Sequence, residues 1–164
     1  MESVSQGPSH LVPIRRSNQR SAIVFVHGLL GDPRKSWQHF PEFLERDEGL
    51  SGWDIYSFGY ASSAFSFAAP SYETLALLLY TQLRKTQLAD YDRLAIVAHG
   101  EGGLIVQMAL SDHEDLAKCI SHTFFFATPN GGLRLGALES LTPFLHALGL
   151  VLFVPSSVFF SNRY

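Results

Sequence analysis

DRLAIVAHGEGGLIVQM, residues 92–108, divides into two apolar runs separated by a cluster of glycines. The first, Leu94 to Ala98, is short and continuous and contains Ile96 and Val97, the pattern of a parallel strand covered on both faces. The second, Leu104 to Leu110, is apolar almost all round, which predicts a buried helix. Gly100, Gly102 and Gly103 stand between them, where a sharp strand-to-helix turn needs permissive dihedrals and the close passage of two backbones. Chemistry is expected at that turn.

The segment Ala98-His99-Gly100-Glu101-Gly102-Gly103 is in register with the strand-turn-helix motif G-x-S-x-G. In that motif the serine projects above the sheet and the next backbone N–H helps bind an oxyanion. Compared with the common form glycine-histidine-serine-x-glycine-glycine, the histidine and both later glycines are present, Ala98 replaces the first glycine, and Gly100 takes the nucleophile's place. Glycine has no side chain to accept an acyl group, so position 100 separates the question of fold from that of activity. His99 and Glu101 do not restore the chemistry. At the start of a helix a carboxylate is stabilised as an anion, which makes Glu101 a poor nucleophile or acid.

A chain of 164 residues suits one domain with a real core but is short for a complete fold built around such a strand-turn-helix motif. Hydrophobic content of 46% against 16% charged residues describes a globular protein rather than a disordered one. A net charge of −3, with basic residues scattered apart from Arg15, Arg16 and Arg20, gives no electrostatic footprint for nucleic acid. The single cysteine, Cys119, excludes an internal disulfide and reads as a structural residue in a strand. No histidine pair at helical spacing and no CxxC suggests a metal, so neither metal nor cofactor is expected. Residues 1–20 lack the apolar core of a secretory signal, and Pro143 to Pro155 is too short to span a bilayer; a cytoplasmic setting is expected, with an organelle also allowed.

Residues 1–20, rich in Ser, Gln, Pro and Arg, read as a flexible leader with a weak strand near Leu11 to Arg15; residues 21–164 read as the domain. Ser21 to Val26 is a β-branched strand that stops at His27-Gly28-Leu29-Leu30-Gly31, a glycine-bearing loop placed to supply a second oxyanion N–H. His27 reads as structural, hydrogen-bonded to the loop backbone. Asp32 to Leu50 predicts two short helical pieces with Pro41 in the first turn of the second. Trp53 to Tyr60 alternates as a strand. Ser71 is a good N-cap for a helix carrying Tyr72, Leu75, Leu79 and Leu83 on one face, with Glu73 in its first turn and Arg84 and Lys85 in its last. Ser111 to Asp115 reads as a polar turn, Cys119 to Ala127 as a further strand, and Thr128 to Gly132 as a loop at the elbow end of the sheet. Leu138, Leu141, Leu145 and Leu148 suggest a helix interrupted by Pro143. The alternation of strand and helix predicts a mainly parallel sheet between helical layers, with the first and third predicted strands adjacent, the second outside the first and the fourth outside the third.

AIVFVHGLLGDPRKSW (22–37), SFGY (57–60), AIVAHGEGGLIVQMAL (95–110) and TFFFATPNGG (123–132), in this order, resemble the lipase-like serine esterases of the serine-active-site-containing protein family, including fungal hydrolase domains fused to NACHT-type ATPases. The resemblance implies a three-layer α/β-hydrolase fold, incomplete on its C-terminal side, and a lineage acting on carboxylic esters, often lipids, through a Ser-Asp-His triad. By position it implies Leu29 and Glu101 as oxyanion-hole donors and Gly100 at the nucleophile's place. His27, Gly28, Leu30, His99 and Asn130 would line the substrate site, with Asn130 replacing a histidine that usually follows Thr-Pro. No triad acid or base is assigned; Glu139 and His146 read as helix-surface residues. An ester or lipid is the expected ligand, and a second copy or a partner domain is expected over the sheet edge at Cys119 to Ala127. The competing expectation is a non-catalytic binding or interaction module.

Overall fold

The computed structural model describes residues 9–17, 19–28, 31–60 and 70–130. The chain divides into two compact units, residues 1–128 and 129–164; of the second, Pro129 and Asn130 are described. The described residues of the first unit hold five strands: β1 (His10–Arg15), β2 (Ser21–Val26), β3 (Asp54–Gly59), β4 (Arg93–His99) and β5 (Ile120–Phe126). Between them lie helices α1 (Phe40–Arg46), α2 (Tyr72–Lys85), α3 (Glu101–Asp112) and α4 (Glu114–Cys119).

The strands form one sheet in the order β1-β3-β2-β4-β5. The pairs β2/β3, β2/β4 and β4/β5 are parallel, and β1 is antiparallel to β3. This is the order expected from the sequence, with the weak strand of the leader added outside β3. Arg15 adds side-chain bonds to the β1/β3 ladder, its guanidinium donating to the carbonyls of Trp53, Glu45 and Leu50.

Period-2 alternation on the central strands divides the core into two layers. Val24, Val26, Tyr56, Phe58, Leu94 and Ile96 face α2 and α3 and pack with Leu75, Leu79, Leu83, Ile105, Val106 and Leu116. Ile23, Phe25, Ile55, Ala95 and Val97 face the other way, against Trp37, Phe40 and Leu44. Helix α2 begins at Ser71, whose hydroxyl accepts from Thr74 N–H at 3.2 Å, so the predicted cap forms. Pro41 sits in the first turn of α1, after a 3₁₀ turn over Lys35–Trp37.

Two expectations are corrected. Cys119 ends α4 instead of opening a strand; the helix carries a Glu114–Lys118 pair at i,i+4, its Leu116 is buried, and the Cys119 thiol reaches Asp115 O at 3.1 Å. The polar turn over Ser111 to Asp115 is instead the end of α3 and the start of α4, separated by His113 alone. The helix expected around Leu138 to Leu148 lies outside the described residues.

Candidate functional site

Strand β4 ends at His99, and Gly100 turns the chain straight into α3 with φ +56° and ψ −130°. An L side chain is strained in that conformation and glycine is not. A Cβ added at Gly100 would nevertheless stand clear, its nearest neighbour being Gly28 Cα at 3.7 Å. The turn is stitched to β5 by Gly100 N–H donating to Phe126 O at 2.9 Å. The backbone thus passes sharply from strand to helix at Gly100, with room above it for a side chain that the sequence does not supply.

The two following glycines answer a different need. A Cβ at Gly102 would lie 2.3 Å from His27 O and 2.4 Å from Val26 O, inside any permissible contact. One at Gly103 would lie 2.0 Å from Thr128 Oγ1. These absences of side chain let the first turn of α3 settle directly on the end of β2 and on the chain leaving β5. Gly28 belongs to the same junction, because a Cβ there would be 3.0 Å from His99 O and 3.5 Å from Glu101 N. The loop after β2 therefore passes over the N–H of Glu101, the first helical residue of α3, which has no intrahelical acceptor. A helix start of this kind favours negative charge, as an oxyanion site requires.

His27 is wholly buried beneath this junction and stacks on Tyr60, ring centroids 4.2 Å apart and 4° from parallel. Its Nδ1–H donates to Gly28 O at 2.9 Å, which leaves Nε2 as a buried acceptor without a partner. Burial holds its pKa below the usual imidazole range, so the ring is neutral near pH 7. Tyr60 in turn donates to His27 O at 2.5 Å. On the α2 side, the Tyr72 hydroxyl meets the Glu101 carboxylate; burial first, then the Glu101 charge, pushes the Tyr60 and Tyr72 phenols well above their ordinary values.

On the opposite face of the sheet, beside His99, a depression of about 350 Å³ is lined by Ser36, Trp37, Gln38, Phe40, His99 and Phe126. Trp37 lies against His99 edge to face at 6.5 Å, and Phe40 against Phe126 at 6.3 Å. Gln38, in its wall, has φ +47° and ψ −120°, a strained conformation for a side-chain-bearing residue. Trp37 is 7% exposed, and its indole N–H is buried without an acceptor.

Of the residues singled out from sequence, the structure gathers His27, Gly28, His99, Gly100 and Glu101 at the carboxyl ends of β2 and β4. Leu29 and Leu30 lie outside the described residues, and Asn130 belongs to the second unit. Tyr60, Tyr72, Trp37, Phe40 and Phe126 were not expected at the site. Their aromatic character was legible, but nothing in their spacing told site from core. Among the described residues no His, Cys, Asp or Glu group is arranged to hold a metal, and no helix is long and apolar enough to cross a membrane.

Solved structures share this fold. The lipase BlEst2 of Bacillus licheniformis in its mature form superposes with TM-score 0.61 at 20% identity, over 87% of this chain and 58% of the lipase. The fold is that of the α/β-hydrolases. A carboxylesterase structure from the thaumarchaeon Nitrososphaera gargenis matches with TM-score 0.57 and 14% identity, over 93% of this chain and 53% of that one. A hydrolase from Oleispira antarctica matches with TM-score 0.53 and 18% identity, over 88% and 53% respectively. The chain thus spans between half and three fifths of the length of these hydrolases. No family model matches the sequence, nor does any curated protein. In the hydrolase fold, the crevice between β2 and β4, whose onward connections run to opposite sides of the sheet, is the place where ligands bind in open α/β sheets.

Proposed function

We propose that this is an α/β-hydrolase domain of serine esterase and lipase lineage, related to carriers of carboxylic-ester chemistry, whose nucleophile position is Gly100 and which forms no acyl-enzyme. The observation that carries this reading is the elbow. Gly100 adopts the strained turn with space above it, Gly102 and Gly103 pack as the motif demands, and the N–H of Glu101 lies under the Gly28 loop. The histidine before the turn and the two glycines after it support this reading, and Ala98 and Gly100 are where the sequence departs from the motif. Removing a nucleophile eliminates the covalent route but leaves whatever slow acceleration an oxyanion site and binding supply.

The test is turnover of p-nitrophenyl butyrate by the chain and by Gly100→Ser. The unmodified chain is expected to show at most a weak, non-saturating acceleration over buffer. Saturable turnover that survives Glu101→Gln and His99→Ala would overturn the reading by revealing a nucleophile elsewhere. If Gly100→Ser gains activity, an acid and a base are present to serve it.

A second reading, a binding or interaction module that pairs with another chain or domain, is favoured by β5. Its Phe124, Phe125 and Phe126 are 50%, 37% and 47% exposed at the end of the sheet order. Apolar side chains on an edge strand invite pairing.

A further inference from the structure

The two ends of the sheet are finished differently. Strand β1 carries Pro13, a register shift between Pro13 and Arg15, and the charge of Arg15, all of which deter a further strand from pairing there. Strand β5 has none of these over its second half. From His122 to Phe126 it keeps unbroken parallel register with β4, Ala95↔His122 to His99↔Phe126, and its irregularity falls earlier, at Ser121. The stretch holds no Asp, Glu, Lys, Arg, Pro or Gly. Phe126 O accepts from Gly100 N–H, so the backbone polar groups of His122, Phe124 and Phe126 point to β4. By alternation those of Thr123 and Phe125 point outward, where the described residues supply no further strand.

The side chains of this stretch are exposed on both faces. His122, Phe124 and Phe126 lie on the α1 side, where Phe126 meets Phe40 and the His122 ring neighbours that of Phe124; Thr123 and Phe125 lie on the other. Apolar residues on both faces mark a strand from the interior of a sheet, yet β5 stands at the end.

We infer that β5 pairs antiparallel with β5 of a second copy, about a two-fold axis beside Phe124, joining the two sheets into one. This rests on the second reading above and is independent of the missing nucleophile. Charge and register select a second copy. A two-fold axis sets side chains against their own kind, so a self-pairing run must be free of like charges; this one is, and the chain's net charge of −3 adds little repulsion. Centred on Phe124, the regular run matches itself end to end, with His122 opposite Phe126 and Thr123 opposite Phe125. The outward backbone groups of Thr123 and Phe125 then form the hydrogen-bonded pairs. Phe124 faces its copy at a non-hydrogen-bonded site, where Cα atoms approach to about 4.5 Å. Area sets the strength. The three exposed rings offer about 200–300 Å² per copy, so even with the backbone the interface stays below the roughly 1,200–2,000 Å² of stable complexes, and a micromolar dimer is expected.

The test combines sedimentation of the full chain with cross-linking that reads the register. A concentration-dependent dimer is expected, and Phe124→Lys, which sets two ammonium groups face to face, should weaken it at least about tenfold. Cys119 is the only cysteine, so in a Cys119→Ser background Phe124→Cys should give a disulfide-linked dimer on mild oxidation. Phe125→Cys should not, because its copy lies diagonally across the axis, beyond the roughly 7 Å that a disulfide spans. A dimer indifferent to Phe124→Lys, or cross-linked through Phe125→Cys instead, overturns this pairing and leaves the interaction-module reading standing. A monomer at every concentration overturns it as well. In that case fast hydrogen exchange at the Thr123 and Phe125 amides leaves the wider reading standing, whereas slow exchange shows an edge already covered within the chain and removes both.

Discussion

Gly100 and Gly102 are two positions apart and glycine for opposite reasons. At Gly102 the obstacle is space, since a Cβ would enter the carbonyls of Val26 and His27. At Gly100 it is backbone conformation, with space to spare. Gly102→Ala should therefore cost about 3 kcal/mol, the upper part of the range for overpacking, because backbone cannot step aside. Gly100→Ala should cost about 1–2 kcal/mol, the strain of a positive φ. Denaturant midpoints of the two variants check the ordering, and an inexpensive Gly102→Ala would mean that α3 does not sit on β2. His27 gives a pH prediction at the same scale. Its folded pKa lies below its unfolded value, so the unfolded chain binds the extra proton and stability is lost as pH falls below the ordinary imidazole range. The contribution is at most about 1.4 kcal/mol per pH unit. Between pH 6.5 and 5 the stability of His27→Asn should fall less steeply than that of the unmodified chain by up to that slope.

At the scale of elements, β1 is held by its antiparallel ladder to β3 and, beyond the ladder, by the side chain of Arg15. Arg15 reaches the carbonyls of Glu45, Leu50 and Trp53, at the end of α1 and the turn that feeds β3. Hydrogen bonds from a charged donor contribute roughly 1.5–3 kcal/mol, so Arg15→Met should destabilise by about 2 kcal/mol. Hydrogen exchange should quicken first at the β1/β3 pairs Leu11↔Phe58 to Arg15↔Ile55. The central elements were legible in sequence because their signals were local: β-branched runs for β2 and β4, a serine cap and a leucine stripe for α2, glycines for the turn between β4 and α3. The failures were also local in origin. Helix α4 is only six residues long, and its signal, one i,i+4 charge pair and a single buried leucine, is too short to establish a period. The strand that followed was consequently started one residue early, at Cys119. Gln38's positive φ left no trace in the sequence, because no glycine or asparagine marks it. The meeting of Tyr72 with Glu101 depends on how α2 lies across α3, which spacing along either helix cannot give.

For the whole molecule, the sheet order places β2 and β4 side by side, so the glycine loop after one and the elbow after the other share a crevice. That adjacency was expected from the alternation of strands and helices, and it makes the candidate site a property of the fold rather than of any single motif. The same order leaves β5, with its exposed phenylalanines, at one end. If that edge mediates association, sedimentation should show concentration-dependent assembly, and Phe124→Lys should shift it toward the monomer without lowering Tm. The central claim is that the elbow is present and its nucleophile is not. Intact-mass spectrometry after incubation with an excess of an alkyl fluorophosphonate tests this most directly, because the reagent marks an activated serine by a fixed mass increment. The account predicts the unmodified mass for this chain; a stoichiometric adduct would contradict it.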